Sequence, residues 1–171
     1  MGRNHYVYLK STDGFSVSAF ADYCAQLGLH VKVHPDFNWQ THTGFLPMRL
    51  TDRRFGGNRD FLTGFGFYMA ECPKTPFNTP QIAELTDFEQ AVRGSVAVLA
   101  LRCSGEDPFE RLPAYLFGGY LVTHLGGVFV DHQTGAHYTT SASMEEAIRQ
   151  LVIQLQEDTS LLLTRPFAGW S

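Results

Sequence analysis

The sequence has no basic excess: 13 lysines and arginines face 17 aspartates and glutamates, for a formal net charge of −4. General nucleic-acid binders carry a positive surplus, so nucleic acid is not the expected partner, whereas a basic protein is compatible with this balance. Charge of either sign is scarce, 18% of residues against about a quarter in ordinary domains. Part of the surface must therefore be uncharged polar or apolar. The three cysteines, Cys24, Cys72 and Cys103, form no CxxC pair, and the opening MGRNHYVYLK lacks the apolar core of a signal peptide. Reduced thiols in a cytoplasmic protein are the expectation, each filling the core or its margin. No GxSxG, HExxH or phosphate loop is present, and Gly56-Gly57 lacks the Lys-Ser/Thr that would follow in a Walker loop. No repeat of solenoid length occurs, and the Pro-rich stretch 72–80 is too short to separate domains.

What remains is a chain of 171 residues, 44% hydrophobic and with 14 phenylalanines, enough for one domain with a real core. Tyr6 to Leu9 reads as a strand. Ser16 offers a cap to a helix with Val17, Phe20, Cys24 and Leu27 on one face, and Gly28 closes it. Leu29 to His34 alternates as a strand that Pro35 stops. Gly44 to Leu50 reads as a strand suited to a sheet edge because of Pro47. Phe61 to Ala70, FLTGFGFYMA, is an aromatic strand in which Gly64 and Gly66 suggest a bulge or the close approach of another backbone. Thr79 and Pro80 open a short helix carrying Ile82, Leu85 and Phe88. Ser95 to Arg102 is a strand buried on both faces or nearly so. Asp107, Pro108 and Glu110 start a helix that Pro113 disturbs and Gly126-Gly127 ends. Val128 to Asp131 is a strand, His132 to Gly135 a turn, and Ser143 to Glu146 a capping box. Behind that box, Met144, Ala147, Ile148, Leu151, Val152 and Leu155 form an amphipathic stripe.

Leu112 to Val130 carries no formal charge and is nearly long enough to span a bilayer, but Pro113, its glycine pairs and His124 favour a helix, turn and buried strand. Strand-helix-strand patterns occur near the start and from Ser95 to Asp131. They predict a single α+β domain over 1–171, with helices packed on a mixed β-sheet and two β-α-β-like halves.

The candidates for chemistry are few. His30 and His34 lie on one strand face but roughly 13 Å apart, too far to share an ion. His132 and His137 bracket a turn and could face each other, without a third ligand. Asp131 and His132 are adjacent on a strand and point to opposite faces, so a turn contact by Asp131 is the expectation. No metal or cofactor is predicted. The densest charge is Arg49, Arg53, Arg54 and Arg59. With Phe55, Trp39 and His42 nearby, these could bind phosphates and stack bases, form a protein-recognition patch, or simply pair with Asp52 and Asp60. Gly118-Gly119 inside a helix costs on the order of 2 kcal/mol against two alanines, which close packing on the sheet would offset.

The stretch SVAVLALRCSGEDPFERLPAYLFGGYLVTHLGGVFVDHQTGAHY resembles small bacterial immunity proteins encoded beside polymorphic or contact-delivered toxins. The pattern is a buried strand, an acidic turn, an Ala/Leu/Gly-rich helix, then GGVFVDHQTG, followed by a capped helix like SMEEAIRQL. Gly64 to Met69 is similar to the aromatic strand upstream in such proteins. The resemblance covers about half of the chain. It implies a non-enzymatic cytoplasmic protein that binds and neutralises one cognate toxin. Partner contacts are then expected in the excursion from Asp36 to Asp60, at Trp39, Arg53, Arg54, Phe55 and Arg59, or at the acidic turn Glu106, Asp107 and Glu110. Two alternatives stay open: a small enzyme using His132, Asp131, His137 or Cys103, and a nucleotide or RNA binder using Arg49 to Arg59.

Overall fold

The computed structural model describes residues 2–55, 59–72, 87–105, 107–160 and 165–170. β1 (Arg3–Leu9) turns His5, Val7 and Leu9 inward, the period of two that a half-buried strand imposes. α1 (Val17–Gln26) starts at Ser16, whose hydroxyl accepts the Ala19 N–H at 3.2 Å, and Gly28 follows its end at φ +80°. Phe20, Tyr23 and Cys24 form its buried face, while Val17 is exposed. β2 (His30–Val33) buries Val31 and Val33. β3 (Gly44–Thr51) leads through a short 3-10 turn, Arg53–Phe55, towards β4 (Asp60–Glu71). α2 (Asp87–Val92) holds Phe88; the helix start expected at Thr79 and Pro80, with Ile82 and Leu85, lies outside the described residues, as do Gly56 and Gly57. β5 (Ala97–Cys103) buries alternate residues and half-buries Val98 and Ala100.

α3 (Pro108–Leu125) is capped by Asp107, whose carboxylate accepts the Phe109 N–H at 2.9 Å, and ends at Gly126 with φ +63°. β6 (Val128–Asp131) and β7 (His137–Tyr138) form a hairpin in which the Asp131 carboxylate accepts the Gln133 N–H at 3.0 Å, the turn contact expected of it. α4 (Ser141–Glu157) begins earlier than the Ser143–Glu146 box predicts, because Thr140 takes the cap and accepts the Ser143 N–H at 3.2 Å. Its predicted stripe is buried at Met144, Ile148, Leu151, Val152 and Leu155.

Among the described residues the seven strands form one sheet, ordered β2-β3-β4-β5-β1-β6-β7, and every pairing is antiparallel. The α+β class is as expected, but the sheet is antiparallel rather than mixed. β5-α3-β6 does join two parallel strands, yet β1 lies between them and runs antiparallel to both. β1-α1-β2 similarly carries the chain past β5, β4 and β3. Each crossover leaves room for strands of opposite direction, so parallel strands never become neighbours. β3 is not the edge strand either, since β2 lies outside it. Pro47 is tolerated because its carbonyl accepts the His34 N–H at 3.1 Å, and the N and O of one strand residue point the same way. Its missing N–H therefore faces the side where β2 has already ended at Val33. Opposite it, Gly64 has φ +151°, and a Cβ there would lie 2.2 Å from the Leu46 carbonyl oxygen. This is the close backbone approach expected from the glycines, achieved without a break in register.

α3 packs on one face of the sheet against β1, β4, β5 and β6, with α1 and α4 beside it. From Leu112 to Val122 its residues are buried, which explains an uncharged sequence all round this part of the helix. No helix among the described residues is long and apolar enough to cross a membrane. Pro113 cannot donate to the Phe109 carbonyl one turn back. Thr63 of β4 supplies that bond through its hydroxyl, in the buried interior. Gly118 and Gly119 are required by two different neighbours. A Cβ at 118 would lie 2.2 Å from the Phe129 ring of β6, and one at 119 would lie 2.4 Å from the Tyr23 hydroxyl. Alanine at 118 would raise helix propensity by ~1 kcal/mol, so a net loss can arise only from this overlap. Gly118→Ala is expected to lower stability by about 2 kcal/mol in urea unfolding, and adding Phe129→Leu to recover at least about half.

Candidate functional site

The basic excursion turns inward. Trp39 is only 8% exposed and Phe55 1%. Trp39 donates its indole N–H to the Thr12 carbonyl at 2.8 Å and stacks on Phe15 at 4.5 Å, so it fills the core rather than offering a contact. Arg54 binds the buried Asp52 carboxylate at 2.7 Å and reaches the Gly28 carbonyl at 3.3 Å; the hydrogen bonds to Asp52 raise its pKa further. Arg49 faces Asp60 at 3.5 Å. The pairing with Asp52 and Asp60 thus absorbs two of the four arginines, and Arg53 and Arg59 remain exposed.

The acidic turn is similarly occupied. Asp107 caps α3 and pairs with Arg165, which also faces Glu110 at 3.6 Å. Glu110 holds the Ser104 hydroxyl at 2.7 Å, and Glu106 lies outside the described residues. The two expected faces are in fact neighbours, since the Phe55 and Phe109 rings meet at 6.4 Å. Two core aromatics bring the basic loop beside the start of α3.

Asp131 has a partner that sequence adjacency did not reveal. His132 is exposed and packs on Tyr6, whereas His5 stands directly across from Asp131 in the β1–β6 pairing. The His5 Nδ1 lies 3.8 Å from the carboxylate, and the Tyr115 hydroxyl donates to Asp131 at 3.2 Å. His5 is wholly buried, with both ring nitrogens lacking hydrogen-bond partners, between Tyr115 and Phe129. Burial pushes its pKa down to about 4 despite the pull of Asp131. Burial opposes ionisation of Asp131 too, but the Gln133 N–H, His5 and Tyr115 outweigh it and its pKa is lowered. A cleft of about 580 Å³ between α3 and α4 is lined by Arg111, Tyr115 and Tyr138, but His5 and Asp131 do not line it. His137 pairs across from Val130, not His132, and leans on Phe88. Cys103 is buried, donates to the Glu110 carbonyl at 3.4 Å, and is pushed by burial up to about 12. The legible signal for the buried pair was the period of two in HYVYL, which places His5 on the face of Val7 and Leu9.

The surface that remains open is the sheet face away from α3. The chain covers its two flanks. Phe88 of α2 packs on Tyr8 at 5.8 Å. On the other side Phe167 lies under the Arg49 guanidinium at 5.4 Å, and Trp170 packs on His34 at 5.1 Å. Between them Phe45 is 53% exposed, Tyr68 38% and Leu62 37%. The floor is glycine: the Phe45 ring tip lies 2.8 Å from where a Gly64 Cβ would be, and the Tyr68 ring 3.0 Å from that of Gly66. Arg102, across from Gly66, places its guanidinium over Tyr68 at 4.5 Å. The alternation in FLTGFGFYMA already sets Leu62 and Tyr68 opposite the core residues Phe61, Phe65 and Phe67; what sequence reasoning missed is that they stay partly exposed, with no helix among the described residues packed over them.

No protein-family model matches this chain, and neither the curated proteins nor the solved structures compared with it give a match.

The buried His5 makes stability depend on pH. Its folded pKa lies near 4 and its ordinary value is 6.5, so between these the unfolded chain binds a proton that the folded state refuses. Stability therefore falls as pH drops through that window, and Asp131 contributes its own loss only at lower pH. His5→Leu is expected to remove most of this slope, on the order of 3 kcal/mol, when urea unfolding is compared at the two ends of the window. Equal slopes in wild type and variant would show that His5 is not the group responsible.

Proposed function

We propose that this chain is an immunity protein: a non-catalytic binder that neutralises a cognate bacterial toxin through a protein–protein interface. The observation that carries this reading is the strip of Phe45, Leu62, Tyr68 and Arg102, left open in the middle of a sheet face whose flanks the chain itself covers. Aromatic residues and arginine are the types that dominate interface hot spots. Rings resting on a glycine floor lose little freedom on binding, which favours affinity. The resemblance of Ser95 to Tyr138 to immunity proteins points the same way, and the low overall charge leaves room for such an apolar patch.

The rival readings draw less support. Trp39 and Phe55 are buried and Arg49 and Arg54 already bind carboxylates, which leaves the Arg49 to Arg59 segment poorly equipped to stack bases and grip phosphates. His132 and Asp131 sit on opposite sides of β6 and its turn, so they do not converge on a common substrate.

Expression of the genes adjacent to the coding sequence, each alone and then together with this chain, tests the proposal. One product is expected to arrest growth alone, to be tolerated in the presence of the chain, and to purify with it as a 1:1 complex. If no neighbouring product is toxic, or if toxicity persists at full expression of the chain, the reading fails.

A further inference from the structure

The open strip has a chemical character of its own. Its central rows run Phe45–Gly66–Arg102–Asn4 and Tyr68–Ala100–Tyr6, with Pro47–Gly64 beside them. Arg102 is the one ionic side chain in these rows, on a chain whose net charge is −4. It makes no ion pair among the described residues; its contact is the face of Tyr68. On the β2–β3 side of this face Lys32 is exposed and Arg49 is balanced by Asp60, whereas the acidic Asp87 and Glu89 belong to α2 at the opposite flank. The apolar strip thus carries local positive charge against the sign of the whole molecule.

Arg102 and Tyr68 are held ready for a ligand. Gly66 has no side chain, so the Tyr68 ring can lean over its backbone, and the guanidinium stacks on that ring. Stacking fixes the plane of the guanidinium and leaves its N–H groups free to grip a carboxylate in two-point fashion. Phe45 and Leu62 provide apolar surface on the neighbouring strands.

Resting on the partner-binding reading above, we infer that the middle of this sheet face docks a protein segment presenting an Asp or Glu carboxylate beside a large apolar side chain. The carboxylate sits on Arg102 and the apolar group lies against Phe45 and Tyr68. Charge complementarity selects this occupant: a basic segment would meet Arg102 and Lys32 with like charge, and a purely apolar one would leave Arg102 desolvated without a counter-charge.

The test uses a phage-displayed library of random peptides, selected on the purified full chain. Enriched peptides are expected to carry Asp or Glu next to Leu, Phe or Trp. They should bind Arg102→Glu at least about tenfold more weakly than wild type, the scale of one charge-assisted contact. Phe45→Ser, at an exposed position, should weaken them without changing the unfolding midpoint, and bound peptide should shield Tyr68 from hydroxyl-radical oxidation. Enrichment of basic peptides, absence of any enrichment, or equal binding to Arg102→Glu overturns the inference. So does a homodimer in sedimentation that Phe45→Ser dissolves, since the occupant would then be a second copy. The two readings fail separately. A toxin neutralised as well by Arg102→Glu and Phe45→Ser as by wild type removes this surface and leaves the immunity function standing. Acidic peptides that still require Arg102, in the absence of any neutralised toxin, do the reverse.

Discussion

Helix α3 lies so close to the sheet that the Phe129 ring occupies the space a side chain at position 118 would need. Its other side is equally tight, with Tyr23 of α1 and Ile148 of α4 against Gly119. The two glycines cost helix propensity, and contact across a nearly all-buried helix offsets that cost. The remaining layers follow from this. α1 and α4 bury their apolar stripes against or beside α3, and the sheet buries the face of Leu46, Met48, Phe65, Phe67, Leu99 and Leu101 beneath it. α1, α3 and α4 thereby lie on one side, and among the described residues α2 and the 165–170 segment reach the flanks of the other.

Sealing a polar backbone under α3 demanded local compensation. Pro113 releases the Phe109 carbonyl and the Thr63 hydroxyl bonds it from β4, which ties the first turn of the helix to the sheet. Asp52 is buried and held by Arg54, and Asp131 is held by the Gln133 N–H and the Tyr115 hydroxyl. His5 differs from these two carboxylates, being neutral and without hydrogen-bond partners at either ring nitrogen. A group in that position reports on pH through stability and lies too deep to touch a substrate. The residue types that suggested chemistry are thus largely consumed by the architecture, and the strip of Phe45, Tyr68 and Arg102 remains exposed as the proposed interface.

The parts legible in the sequence were those governed by local rules. The Ser16 cap and Gly28 stop of α1, the Asp107–Pro108 start of α3, its end at Gly126 and the stripe of α4 all depend on neighbours within a turn or two. The α+β class followed from them. Strand order did not, because placing β1 between β5 and β6 depends on pairings such as Leu9 with Ala97 and His5 with Asp131, far apart in the chain. Trp39 and Phe55 show the same limit. Beside arginines they look like surface contacts, yet each is buried by residues distant in the chain.

The sequence by itself determined the helices, most of the strands, the inward set of each strand and the need for close packing at Gly118-Gly119, because propensity, capping and periodicity are properties of short segments. Tertiary structure alone decided which charges pair, that His5 rather than His132 faces Asp131, and that Phe45, Tyr68 and Arg102 share one uncovered face. Those outcomes depend on the register between strands and on which side the helices settle, and no local pattern encodes either.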